Sequence, residues 1–286
     1  MLKVFLRMFA NLPLPLIHAA GTVLGCLFTL FSRKFVRRTR NNLSLLQIAH
    51  SPRRLRRLVR KSSRETGKGL LETFAIWFRP QVSVLQWVKD CQGWQHVEAA
   101  LAAKRGIIFL TPHLGCYEIT AQYYAARHPI SVLYRPSRQR WLEPLIEQGR
   151  NRSGITLAPT NLKGVRNLLQ ALRRGAAVGI LPDQVPKSGE GAWANFFGRP
   201  AYTMTLVEKL AETTQATVLM AFGERLSWGQ GYIIHIEPLE GIASAENINR
   251  GIERLVRMRP EQYLWSYNRY KQPAAAQKQA TKPDKD

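Results

Sequence analysis

Acidic residues are scarce in this chain. Its 286 residues include 19 Asp or Glu against 42 Lys or Arg, a formal net charge of +23 and a pI near 10.6. Such a chain seeks polyanions: nucleic acid, an anionic membrane surface or a multiply phosphorylated substrate. Cysteine is scarce too, with only Cys26, Cys91 and Cys116. The number is odd and no C-x-x-C pair exists, which argues against a disulfide framework and a thiolate zinc site and fits a reducing cytoplasmic setting. No His/Cys cluster has metal-ligand spacing, so no metal is expected. A G-x-x-x-x-G-K-[ST] loop and a G-x-S-x-G elbow are also missing, so neither P-loop phosphate chemistry nor a serine nucleophile of that kind is predicted. There is no internal repeat. No reader helix, RNP-like motif or zinc finger accompanies the positive charge, which disfavours nucleic acid as the partner.

What is present is globular in composition, with 45% hydrophobic residues. Residues Leu12 to Phe31 carry no Asp, Glu, Lys or Arg. About twenty such residues would just cross a hydrocarbon core, although Pro13, Pro15, His18, Gly21 and Gly25 interrupt the run. Arg33, Lys34, Arg37, Arg38 and Arg40 follow it, which places the bulk of the chain on the cytoplasmic side. Cysteine usage argues against export, so residues 1–31 are expected to be a retained membrane anchor rather than a signal peptide. Whether the anchor spans or lies at the interface stays open. Ser51-Pro52 then starts a helix with Leu55, Leu58, Val59, Thr66, Leu70, Phe74 and Trp77 at helical spacing. Its first turns carry Arg53, Arg54, Arg56, Arg57, Arg60, Lys61 and Arg64, which oppose the helix dipole and call for an anionic partner.

From residue 107 onward, short apolar segments alternate with helical ones. Ile107–Thr111, Ile130–Tyr134, Gly154–Leu157 and Ala177–Leu181 read as strands, and Ala216–Phe222 with Tyr232–Ile236 as a strand pair completing the sheet. Helices are predicted over Tyr117–Arg127, from Trp141 to Gly149, after the Asn161 cap, over Thr203–Thr214 and Ala245–Met258, and from Pro260 to Lys271. Val185–Tyr202 reads as a Gly/Pro-rich loop whose Trp193, Phe196 and Phe197 either contact an apolar ligand or plug the core. Short links between alternating elements predict an α/β fold: a mixed, largely parallel central sheet flanked by helices, with a membrane-associated N-terminal helix. Residues 32–272 would form the main domain and 273–286 a disordered, low-complexity tail.

The chemistry-bearing residues fall at strand ends. His113 stands just past the carboxyl end of the first predicted strand, on the edge where open α/β sheets bind ligands. Arg135 and Asp183 end two others. Glu118 lies five residues after His113. Residues five apart on a helix diverge by about 140°, so the two meet only if Leu114-Gly115 makes a turn. The pair would then be an imidazole base oriented by a carboxylate, with the nucleophilic hydroxyl brought by the substrate.

The motifs His113-x4-Glu118, Tyr134-Arg135-Pro136, Gly149-Arg150-Asn151-Arg152-Ser153, Pro182-Asp183-Gln184, Phe196-Phe197-Gly198 and Pro260-Glu-Gln-Tyr-Leu-Trp265 with Arg269 occur in that order. Together they resemble the late lauroyl/myristoyl acyltransferases of lipid A biosynthesis, in the lysophospholipid acyltransferase-like superfamily. Cys116-Tyr117 departs from the Asn-Trp of many members. The resemblance implies transfer of a fatty acyl group from acyl carrier protein to a hydroxyl on an acyl chain of a Kdo2-lipid IVA type precursor. It implies His113 and Glu118 as catalytic, and Arg135, Arg150, Arg152, Asp183 and Gln184 as substrate-binding, with Asp183 orienting an arginine. It implies no metal or diffusible cofactor. The expected partners are acyl carrier protein, the phosphorylated precursor and the anionic inner-membrane surface, with the catalytic domain facing the cytoplasm. A glycerophospholipid (lysophosphatidic acid type) acyltransferase, sharing His-x4-acid chemistry, is the alternative.

Overall fold

A computed structural model describes residues 2–46, 51–137, 139, 143–152 and 154–273. Trp141 and Leu142, where a helix was expected to begin, lie outside the described residues, as do Ser153 and all of the expected tail except Pro273. The chain opens with three helices, α1 (Leu2–Ala10), α2 (Leu14–Phe31) and α3 (Arg33–Leu43), followed by the long α4 (Pro52–Phe78) and short α5 (Gln81–Leu85). The alternating part runs β1 (Val88–Gln92), α6 (Trp94–Ala102), β2 (Ile107–Leu110), α7 (Tyr117–Ala125), β3 (Ile130–Tyr134), α8 (Glu143–Arg150), β4 (Ile155–Pro159), α9 (Leu162–Arg173) and β5 (Ala177–Ile180). It closes with β6 (Gly191–Phe196), β7 (Arg199–Met204), α10 (Leu206–Thr214), β8 (Thr217–Arg225), β9 (Tyr232–Pro238) and α11 (Ala245–Met258).

Seven strands form one sheet in the order β1-β9-β8-β2-β5-β3-β4. All neighbours are parallel except β8 and β9, which are antiparallel. The mixed, largely parallel sheet is therefore as expected, with β1 as a strand the sequence pattern did not reveal. Lys89, Asp90 and Gln92 make β1 polar and exposed, an edge-strand composition without a clean hydrophobic alternation. The central strands are buried on both faces, as crossover helices require. On β2, Ile108 and Leu110 enter one core with α9, α10 and α11, while Ile107 and Phe109 enter the other beneath α6 and α7.

Local signals place the helix starts. The Ser51 side chain accepts a bond from the Arg54 N–H, and that of Asn161 accepts one from Gly164. Two expectations change. The stretch expected as a loop from Val185 to Tyr202 contains the antiparallel β6–β7 hairpin, with Phe196 and Phe197 buried and Trp193 half exposed. Thr203 and Met204 belong to β7, so the next helix begins at Leu206. The expected helix from Pro260 to Lys271 is instead a single 3-10 turn, Pro260–Gln262, followed by irregular chain. Its backbone bonds go elsewhere: Leu264 donates to the His113 carbonyl, and the Gln262 carbonyl accepts from Gly115. Tyr263 and Trp265 are drawn into the core, which outweighs local helix propensity.

Candidate active site

The parallel pairing of β2 with β5 matches Leu110 with Ile180. His113 stands three residues past Leu110 and Asp183 three past Ile180, so the ladder carries both to one point on the carboxyl edge. Thr111 continues the pairing by donating to the Ile180 carbonyl at 2.9 Å. His113 Nδ1 and Asp183 Oδ1 are 2.8 Å apart, and the His113 backbone N–H donates to Asp183 Oδ2 at 2.9 Å. Asp183 is almost fully buried. Burial pushes its pKa up, but the nearby His113 overcomes this and holds it below the usual carboxylate value, with Arg269 adding to the effect. A carboxylate there accepts the Nδ1 proton. That leaves His113 Nε2 as an acceptor, facing the Gln184 amide nitrogen at 3.2 Å. The tautomer is the one a base needs.

Glu118 does not orient His113. Its carboxylate is held by Arg150, whose Nε donates to Oε1 at 2.9 Å and to Oε2 at 3.2 Å, with a further contact from Nη2. The turn at Gly115 forms as expected, at φ +59°. A Cβ there would lie 2.1 Å from the Gly223 carbonyl oxygen, so glycine is required for space as well as conformation. But α7 begins at Tyr117, whose ring stands beside the His113 imidazole with centroids 4.9 Å apart. Glu118, in the first turn, then meets Arg150 on α8. Asp183 takes the place expected of Glu118, and it bonds the histidine rather than an arginine. The Arg150 guanidinium also lies over Trp77 at 5.5 Å. Burial alone would lower its pKa, but Glu118 raises it, so it stays a cation.

The remaining expected residues divide. Arg152 lies beside the same corner, half-buried, with Nη1 donating to the Arg79 carbonyl. Arg135 is exposed at the end of β3 with no hydrogen-bond partner among the described residues. Gln184 reaches His113 directly. Arg269 is buried behind the hairpin, bonded to the Tyr202 carbonyl at 2.8 Å and to the Thr203 hydroxyl at 2.6 Å, which is a scaffold position.

A feature the sequence did not reveal lies beneath α7. An apolar cavity extends from Thr111, Glu118 and Arg150 along the sheet face toward Ile130 and Ile155 at the strand starts, with Trp94 and Tyr124 also in its wall. Gly179 lines it, paired with Phe109 on one side and Val132 on the other. A Cβ at Gly179 would come no closer than 3.4 Å to Val132, and its φ is not positive. Conformation therefore does not require glycine; its effect is to leave open volume in a row of large apolar side chains.

Fold and site together define an α/β protein with an imidazole base at the sheet edge, beside Tyr117, which lines an apolar cavity. The comparison with known sequences names the class: residues 1–272 match the family model described as bacterial lipid A biosynthesis acyltransferase. The chain belongs to that family and is an acyltransferase of lipid A biosynthesis. It is 28% identical over 276 residues to the lipid A biosynthesis palmitoleoyltransferase of Escherichia coli K12, covering 93% of this chain and 88% of that one. The lauroyltransferase of the same organism is 28% identical over 274 residues, with 93% and 89% covered. The myristoyltransferase aligns over 186 residues at 24% identity, covering 62% and 57%.

Proposed function

We propose that the enzyme moves a fatty acyl group from the thioester of acyl carrier protein to a hydroxyl on an acyl chain of a phosphorylated lipid A precursor of the Kdo2-lipid IVA type, at the cytoplasmic face of the inner membrane. The observation that carries this reading is the His113–Asp183 pair at the carboxyl edge of the sheet, with Tyr117, which lines the apolar cavity, beside the imidazole. His113 Nε2 removes the proton as the acceptor hydroxyl oxygen attacks the thioester carbonyl carbon. Buried Asp183 holds the tautomer and stabilises the imidazolium. The carbon–sulfur bond then breaks, and the imidazolium returns its proton to the leaving thiolate. Gln184 gives up its contact with Nε2 when the hydroxyl arrives. Arg150, held in place by Glu118, supplies a fixed cation for the developing oxyanion or a precursor phosphate, and Arg152 and Arg135 extend the positive edge. The cavity receives the donor chain. No step calls for a metal or diffusible cofactor.

The test is purified protein supplied with acyl-acyl carrier protein and the tetraacylated precursor, with product masses read by mass spectrometry. One added acyl group, lost in His113→Ala, is expected. Acylation of lysophosphatidic acid in preference to the lipid A precursor would move the assignment to the glycerophospholipid class.

A further inference from the structure

We infer that α2 lies flat in one leaflet of the membrane, strapped to α4, and does not cross the bilayer. The inference rests on the membrane location just proposed and concerns how that location is achieved.

The side chains of α2 are sorted by face. At 100° per residue, exposed Leu16, Val23, Leu27, Leu30 and Phe31 fall within an arc of about 100°. Buried Leu14, Ile17, His18, Gly21 and Gly25 fall on the opposite side. Phe31 is 81% exposed and Leu30 72%, apolar surface that a headgroup–acyl boundary would cover.

The buried face is fastened tightly. A Cβ on Gly21 would lie 2.5 Å from the Lys68 Cα, and one on Gly25 2.2 Å from the Ser63 carbonyl oxygen. The two helices therefore touch backbone to backbone. His18 Nε2 is 3.0 Å from the Glu72 carboxylate, which also accepts from the Tyr232 hydroxyl at 2.9 Å and from Arg225. The Arg79 side chain donates to the carbonyls of Ala10 and Leu12, at 2.9 Å each.

These contacts make crossing costly by either route. If α2 crossed while docked, the half of α4 from Arg56 to Lys68 would enter hydrocarbon with it, against the insertion cost of every cation it carries. If α2 left α4, it would uncover the Glu72–Arg225 ion pair and place His18 in lipid. In the plane, the same cations are assets. Arg53, Arg54, Arg56, Arg57, Arg60, Lys61 and Arg64 are all exposed, and none forms an ion pair among the described residues. Arg33, Lys34 and Arg37 continue the positive band directly after Phe31. Exposed apolar stripe and adjoining cations match an anionic lipid surface.

The test reads topology, which does not depend on turnover. Asn11→Cys, between α1 and α2, and Thr213→Cys, at the end of α10, are placed separately in full-length protein lacking Cys26 and Cys91. Each is probed with an impermeant maleimide in intact spheroplasts and in inverted membrane vesicles. Labelling of both from the same side is expected; labelling from opposite sides overturns the inference. In parallel, phosphatidylcholine vesicles with and without phosphatidylglycerol are used to pellet the protein. Arg53→Glu, Arg56→Glu and Arg60→Glu together should weaken binding to the anionic vesicles by at least roughly fivefold per cation. Binding indifferent to phosphatidylglycerol would show that the cations serve another partner, such as an acidic protein, and would overturn the charged half of the inference. Absence of acyl transfer in a protein that passes both tests would reject the proposed reaction and leave this one standing.

Discussion

Two clusters around a histidine, one at the sheet edge and one near the N-terminus, each set it against a buried carboxylate, and only the first is placed to do chemistry. At the sheet edge, His113 pairs through Nδ1 with buried Asp183, and its Nε2 faces Gln184. Its side chain keeps 12% exposure. Near the N-terminus, His18 pairs through Nε2 with Glu72, itself clamped by Arg225, and its side chain is only 4% exposed. His18 Nδ1 has no partner in the described structure. The difference is what the second ring nitrogen can reach. One imidazole has a nitrogen free for a substrate proton, whereas the other has both nitrogens enclosed by protein. The inner cluster still bears on the site, because Arg225 Nη2 donates to the Gly115 carbonyl at 3.1 Å, within the His113–Glu118 turn. It secures α2, α4 and that turn together.

The largest effect that separates the clusters should come from the outer one. His113→Ala and Asp183→Asn are each expected to lower kcat by ~10³–10⁴-fold with an unchanged melting temperature; the asparagine favours the wrong tautomer. Near-normal turnover by Asp183→Asn in a steady-state assay would return the orienting role to Glu118. The inner cluster should answer in stability instead. Arg225→Met leaves buried Glu72 with only His18 and the Tyr232 hydroxyl as partners, at a cost of about 3–5 kcal/mol read by denaturant unfolding. Its pH dependence has a definite sign. Burial pushes the Glu72 pKa up, but Arg225 and then His18 hold it far below its ordinary 4.5. Its stabilisation is therefore complete above pH 4.5 and is lost as pH falls below that value. Glu72→Gln should flatten that acid limb in an unfolding series across pH.

Smaller effects refine the outer site. Arg150→Lys keeps the charge but loses the paired donors that grip Glu118, and a fall in kcat of about 10–10²-fold is expected with a modest change in KM. A rise in KM alone would make Arg150 a binding group rather than an oxyanion partner. Smallest in overall rate is Gly179→Val, which fills the gap between Phe109 and Val132. It should shift donor preference toward shorter acyl chains, by about tenfold in relative kcat/KM across a series of acyl-carrier-protein thioesters. An unchanged chain-length profile would show that the donor chain lies elsewhere.

Much of the fold was legible because its signals are local. Ser51 and Asn161 cap helices at the expected positions, and Gly115 makes the turn after His113. The apolar runs of β2, β3 and β5 are strands because both faces are covered. The Pro260–Lys271 segment is not helical because its backbone partners, at His113 and Gly115, lie far along the chain. The Gly191–Met204 hairpin pairs locally, but its Gly- and Pro-containing strands show no clean hydrophobic alternation. At the site, residue type and strand-end position marked His113 and Asp183, and the family motifs marked Arg150 and Gln184. Which acid serves the histidine was not marked.

The amino-acid sequence by itself determined the α/β alternation, the positive charge, the apolar α2 and the placement of ionisable groups at strand ends, since periodicity and composition act within a few residues. Tertiary structure alone decided that Asp183 rather than Glu118 holds His113, because the parallel register of β2 on β5 joins residues seventy apart. It also decided that Glu118 holds Arg150, that Gly179 opens the cavity, and that α2 is bound along α4 through Gly21, Gly25 and His18. Each of these depends on which surfaces meet when separate elements pack, and no local pattern in the chain carries that information.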